Sequence, residues 1–181
     1  RKGPISLRIA SRPTELTVPM TLAFWILLAL VVYIYAGYPL LLWLLRTLRG
    51  ARPVAVADVE PPVTLVISAY NEEAVIEAKL DNCLALDYPR HRLQVMVVSD
   101  ACEDGTDDIV RSYADRGVTL LAMPERGGKT LGLNAAVAAA TGEIIVFSDA
   151  NAMYGRDVIR QLVRNFADPA VGAAVGESTY V

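Results

Sequence analysis

Cysteine and histidine are scarce: the 181 residues include two cysteines, Cys83 and Cys102, and one histidine, His91. Two cysteines exclude a disulfide scaffold and any four-cysteine zinc site. One histidine argues against a His-rich metal centre and against a histidine-based catalytic triad. Positive charge is short where nucleic-acid binding would need it. Residues 61–181 carry ten Lys and Arg against seventeen Asp and Glu, whereas residues 1–60 carry seven against three. The larger part of the chain is therefore acidic and lacks the basic face that nucleic acid selects. No G-x-G-x-x-G follows the first strand-like run, which disfavours a dinucleotide fold. Internal repeats and low-complexity tracts are also missing.

What the chain has in excess is apolar surface. Hydrophobic residues make up 54% and charged residues 20%, with a mean hydropathy of +0.36. That average is too apolar for an ordinary soluble domain and too charged for a bundle of membrane helices, so two kinds of segment are expected. No charged residue occurs from Thr17 to Leu45. As a helix this run would be about 44 Å long, enough to cross a bilayer with some tilt. Residues 21–35 (TLAFWILLALVVYIY) are apolar all round, which excludes an amphipathic surface helix. A cleaved signal peptide is the rival, with Ala55-Val56-Ala57 as its cleavage site. The run is too long for a signal core, however, and Arg46, Arg49 and Arg52 intervene. The reading is a tail at 1–16, a retained transmembrane helix at 17–48 kinked at Pro39, and a linker at 49–61 that runs into the double proline Pro61-Pro62. Basic residues flank the span on both sides, so charge does not orient it.

Residues 62–181 are about the size of one domain. Short apolar runs at Val63–Ser68, Leu93–Ser99, Val118–Ala122, Ile144–Ser148 and Val171–Val175 alternate with helical spacing. The first helix places Val75, Ile76, Leu80, Cys83 and Leu84 on one face. The second enters through Thr106 as an N-cap and stops at Gly117. The third spans about Thr130 to Ala140, and the fourth stops at Asp168-Pro169. Such alternation predicts an α/β fold with right-handed crossovers and a mostly parallel sheet.

Polar clusters follow the first four strands: Tyr70-Asn71-Glu72-Glu73, Asp100 to Thr106, Pro124 to Thr130, and Asp149-Ala150-Asn151. Each alone reads as a helix start or turn. Four at the carboxyl ends of parallel strands fall on the edge where open sheets bind ligands. Gly128-Lys129-Thr130 resembles the tail of a P-loop. A P-loop needs a glycine where Met123 stands, and Pro124 has no N–H to donate inside the phosphate loop. A nucleotide-diphosphate ligand accounts for more of the residues. Tyr70 can stack on a base and Asp100 can accept a base N–H. Lys129 or Arg126 can face phosphate charge. Asp149 and Asn151 offer two hard oxygens suited to Mg²⁺ or Mn²⁺.

With V-T-L-V-I-S-A-Y-N-E-E at 63–73, S-D-A-C-E-D-G-T at 99–106, G-K-T-L-G-L-N-A-A at 128–136 and A-T-G-E-I-I-V-F-S-D-A-N at 140–151, the chain resembles the family 2 glycosyltransferases. The resemblance implies a GT-A nucleotide-sugar-binding (Rossmann-like) sheet over residues 62–181, preceded by one transmembrane helix as in membrane-bound polysaccharide synthases. It implies that Tyr70 and Asp100 hold the base, usually uracil, that Glu72 and Lys129 line the nucleotide pocket, and that Asp149 and Asn151 occupy the metal-binding D-x-D position. Asn151 departs from the usual second aspartate. Its neutral oxygen can still ligate a hard cation, with less affinity. The family's acceptor half and catalytic base are expected beyond Val181, so no catalytic residue is assigned, Glu177 included. The expected partners are a UDP-sugar, a saccharide or lipid-linked acceptor and membrane lipid, with residues 46–181 on the cytoplasmic side of the cell membrane. Two alternatives remain at this point: a membrane-tethered nucleotide-binding module without turnover, and a P-loop-like NTPase.

Overall fold

The computed structural model describes residues 17–50 and 53–177. The chain divides into two units, one ending at Pro53 and the other starting at Val54. The expected N-terminal tail at 1–16 lies outside the described residues.

The first unit is a continuous helix made of α1 (Thr17–Val32), a widened π turn (Tyr33–Gly37) and α2 (Tyr38–Arg49). From Pro19 to Arg49 it is long and apolar enough to cross a membrane, with a mean hydropathy of 2.1. Where a kink is expected at Pro39, the helix carries this π turn just upstream of the proline. Pro39 has no amide hydrogen to give the Tyr35 carbonyl, and its ring crowds that group. The backbone widens instead, and the Tyr38 N–H donates to the Tyr33 carbonyl. The helix ends at Arg49, one residue beyond the expected boundary, where Gly50 turns to φ 73°.

The second unit is built on four strands: β1 (Val63–Ala69), β2 (Leu93–Ser99), β3 (Val118–Ala122) and β4 (Ile144–Asp149). They form one parallel sheet in the order β3-β2-β1-β4. Val63 of β1 pairs with Leu93 on one side and Ile144 on the other. The chain steps outward from β1 to β3 and then returns to the far side of β1, which makes a topological switch between β1 and β4. Except for Ser68, every residue of β1 is buried, as a central parallel strand requires.

The helices α3 (Glu73–Leu84), α4 (Thr106–Ser112), α5 (Lys129–Ala139) and α6 (Val158–Val163) cover the sheet. Leu65 and Ile67 of β1 pack in one core with Ile76 and Leu80 of α3, Val110 of α4, and Ile159 and Val163 of α6. Val66, Met96 and Val98 form a second core with Ala136 of α5. The period-2 alternation of β1 thus feeds two cores. Gly142, before β4, lies so close to β1 that an added Cβ would sit 2.6 Å from the Val63 carbonyl carbon. Gly142→Ala should lower stability by roughly 1–3 kcal/mol through overpacking. Thermal denaturation of both proteins in the same detergent checks this, and an unshifted transition would contradict the close approach.

Three expectations change. Thr106 is the first residue of α4 rather than its cap. Its N–H and hydroxyl both donate to the Asp104 carboxylate, at 3.0 and 2.6 Å. No strand forms at 171–175. The run is mostly Gly and Ala, and Val175 is 94% exposed, so it has little apolar surface to hold it against the β4 edge. The segment expected as a bare linker is fastened over its second half. Tyr88 donates to the Pro61 carbonyl at 2.6 Å, Arg160 pairs with Glu60 at 2.7 Å, and the Ala57 N–H donates to the Arg164 carbonyl at 3.3 Å.

Candidate functional site

The carboxyl ends of the four strands converge beside the switch point. Tyr70, Glu72, Asp100, Lys129, Asp149 and Asn151 line one cleft of 270 Å³ with Ser68, Ala69 and Val98. That volume is just under the roughly 300–1,000 Å³ typical of small-ligand pockets, enough for part of a nucleotide-sized ligand. All six residues singled out in the sequence are therefore brought together. His91 is exposed on a separate short turn after Pro89 and takes no part.

The loops after β1 and β2 are braced against each other. Asn71 and Ala101, each soon after a strand end, adopt left-handed backbone at φ 53° and 56°. Asparagine visits that region readily, whereas alanine holds it only where the surroundings demand it. The surroundings here are a set of cross-loop hydrogen bonds. The Glu103 N–H donates to Asn71 Oδ1 at 2.9 Å, the Glu72 N–H to Thr106 Oγ1 at 2.9 Å, and the Gly105 N–H to Glu73 Oε2 at 3.1 Å. This bracing fixes where Tyr70 and Glu72 stand. It runs between residues about thirty positions apart, so neither loop alone shows it.

Asp100 is 9% exposed and holds the basic loop. Its carboxylate accepts the Gly127 N–H at 2.8 Å and the Gly128 N–H at 3.0 Å. These are the amides that a P-loop would turn toward phosphate, and here they face an acid. The same loop lays Arg126 over Tyr70, with the guanidinium carbon 4.0 Å from the ring centroid, a cation–π contact. Arg126 thus stands on the face where a base would stack.

Lys129 opens α5 and pairs with Asp149 at 2.5 Å. Both side chains are more than half exposed, so the pair adds little to stability. Its importance lies in charge: the Lys129 hydrogen bond, then the Lys129 charge, the Ser68 hydroxyl and the Lys79 charge, hold the Asp149 carboxyl below its ordinary range against partial burial. Asp149 is therefore an anion at neutral pH, and Lys129 is its counter-charge. Asp149 and Asn151 share one turn, closed by the Ala152 N–H donating to the Asp149 carbonyl at 3.2 Å. No group of three His, Cys, Asp or Glu side chains among the described residues could hold a metal by itself. The donor set, one anionic and one neutral oxygen, fits a hard cation that shares a diphosphate, because the phosphates complete the shell.

Lys79 escapes a reading of motifs. It lies on α3 with no exposed surface, donates to the Ala152 carbonyl and sits 3.8 Å from the Tyr154 ring centroid. The available signal was its position on the apolar stripe between Ile76 and Cys83, where a charge needs a partner.

Residues 64–181 match the family model described as Glycosyl transferase family 2. The chain is 33% identical over 169 residues to the β-monoglucosyldiacylglycerol synthase of a Synechocystis strain, covering 87% of this chain and 35% of that protein. Among solved structures it resembles a Pyrobaculum calidifontis mannosyltransferase in complex with GDP-Man and Mn²⁺. The TM-score there is 0.66 at 40% identity, over 80% of this chain and 44% of that one. Staphylococcus aureus TarS 1–349 in complex with UDP gives a TM-score of 0.52 at 25% identity, over 55% and 30%. The chain thus spans between a third and a half of the first two of these proteins.

Proposed function

Because this chain belongs to glycosyl transferase family 2, we propose that it is a membrane-anchored inverting glycosyltransferase whose residues 62–181 bind a nucleotide-sugar, with a UDP-sugar as donor. The observation that carries the reading is the cleft at the sheet's switch point, where an aromatic ring, a buried acid and a Lys–Asp pair meet.

In this reading the uracil displaces or shares the Tyr70 face with Arg126, and Asp100 accepts one of its N–H groups. Glu72 lines the pocket beside them. Asp149 and Asn151 would hold Mg²⁺ or Mn²⁺, which supplies positive charge to the departing diphosphate. Lys129, released from Asp149, turns its ammonium to the phosphates and stabilises the leaving group. A carboxylate deprotonates the acceptor hydroxyl, which attacks the anomeric carbon from the opposite face. We assign that base to none of the six residues. The acceptor is a saccharide or lipid-linked group, the latter supported by the glycolipid synthase among the relatives. A helix free of charge over its middle supports anchoring in the cell membrane.

A GDP-sugar is the second reading, favoured by the mannosyltransferase solved with GDP-Man. Calorimetric titration of the chain in detergent with UDP and with GDP, each with and without Mn²⁺, separates them. Tighter UDP supports the first reading and tighter GDP the second. Binding of neither refutes the donor site.

The donor chemistry also sets topology. Nucleotide-sugars are made in the cytosol, so residues 46–181 face the cytoplasm. A reporter fused after Val181 should be active only on that side; activity only on the outer side would reverse the assignment.

A further inference from the structure

Lys79 is the largest fully buried side chain of the protein's described residues, and nothing in the proposed transfer uses it. A buried ammonium persists only where it is paired, because leaving water costs several kcal/mol unless hydrogen bonds and charge offset the loss. Its hydrogen-bond and ring partners belong to one short stretch. Nζ donates to the Ala152 carbonyl and lies over the Tyr154 ring. One turn further along α3, Asn82 donates to the Tyr154 carbonyl and accepts the Tyr154 N–H, both at 2.9 Å. Two side chains of one helix thus fasten the three residues that follow Asn151. On its other side the same turn is held by Ser68, which donates to Asp149 at 3.3 Å.

We propose that Lys79 is a positioning residue: by fixing the main chain at Ala152 it sets the spacing of the Asp149 and Asn151 oxygens that grip the divalent cation. The proposal rests on the donor-site reading above. An apolar side chain in its place would leave the Ala152 carbonyl without its donor and free the turn's last residue. Burial pushes the Lys79 ammonium toward the neutral form, while Cys83 and Asp149 favour its charge. In its charged form the residue also brings a positive charge near a site meant for cations. That makes the direction of the effect informative. Charge alone predicts that neutralising Lys79 tightens a cation; positioning predicts that it loosens one.

The test is electron paramagnetic resonance of Mn²⁺ titrated, with UDP present, into the full chain in detergent. Wild type, Lys79→Met, Lys79→Arg and Lys79→Gln are compared, with metal-free UDP binding measured alongside. Lys79→Met should weaken Mn²⁺ by about 10–100-fold, the usual loss when a group that orients metal ligands is removed. Metal-free UDP affinity should stay near wild type. Lys79→Arg, which keeps donors and charge, should recover most of the Mn²⁺ affinity. Unchanged or tighter Mn²⁺ in Lys79→Met overturns the proposal, as does an equal loss of metal-free UDP binding, which marks a general structural role. If Lys79→Met does not fold, Lys79→Gln carries the same split, since its amide donates but falls short of Ala152. A wild type that binds neither UDP nor GDP refutes the donor-site reading itself, a result distinct from any of these.

Discussion

Asp149→Ala should abolish the Mn²⁺ dependence of UDP binding. In the proposed site cation and nucleotide would share oxygens, so each should strengthen the other by a factor of about 5–150, the common range for linked sites. Asp149 supplies the only anionic oxygen of its turn, and without it that factor should fall to about one. The ion pair adds a second consequence. Removing Asp149 frees Lys129, its partner at 2.5 Å, to face the diphosphate alone, so metal-free UDP should bind as tightly as in the wild type or tighter. Uridine, lacking phosphates, should be indifferent. Asn151→Asp should act in the opposite sense and tighten the metal by adding a charged oxygen. Calorimetry of Mn²⁺ and UDP in both orders reads all of these. Wild-type metal dependence in Asp149→Ala would reduce the Asp149–Asn151 segment to an ordinary strand-end turn.

Asp100→Ala should cost more UDP affinity than Tyr70→Ala. Loss of a hydrogen bond to a charged acceptor is worth about 1.5–3 kcal/mol, or roughly ten- to a hundredfold in Kd. Asp100 also holds the Gly127 and Gly128 amides, so the loop that bears Arg126 and Lys129 should loosen with it. Tyr70→Ala loses stacking, worth about 1–3 kcal/mol per base. Part of that is offset because the base no longer competes with Arg126 for the ring. Tyr70→Phe keeps the ring and should bind like the wild type. Isothermal titration of the three folded variants decides the order. Unchanged affinity in both alanine variants would remove the base pocket from this cleft.

The two variants also show what a sequence can and cannot express. The strands were legible from short apolar runs, and the lining of the candidate cleft from polar clusters placed after them, because in a parallel sheet every strand end lies on one edge. Tyr70, Asp100, Lys129, Asp149 and Asn151 were singled out by that rule and Glu72 by the family resemblance, and all six line one cleft. Their partners were not legible. That Arg126 covers Tyr70 and Asp100 holds Gly127 and Gly128 depends on how the loop after β3 folds over the end of β2, a contact between residues far apart in sequence. Lys79 was overlooked for a related reason: a lysine in a helix ordinarily marks its wet face, and its place on the stripe of Ile76, Leu80 and Cys83 gains its meaning from their burial. The run at 171–175 failed in the other direction. It reads as a short apolar run, but Gly172 and two alanines give a ladder little to hold.

The π turn at Tyr33–Gly37 also sets a phase. A turn of this kind holds one residue more than the α pattern, and each residue of an α-helix advances it by about 100°. A stripe of side chains followed along α1 therefore continues on a different azimuth in α2, and a neighbour packed along the whole helix meets two faces instead of one. Deleting one residue within Tyr33–Gly37 would bring the halves back into phase while shortening the helix by only about 1.5 Å. Cysteine crosslinking scanned along the helix would reveal the offset as a single skipped beat in its periodicity.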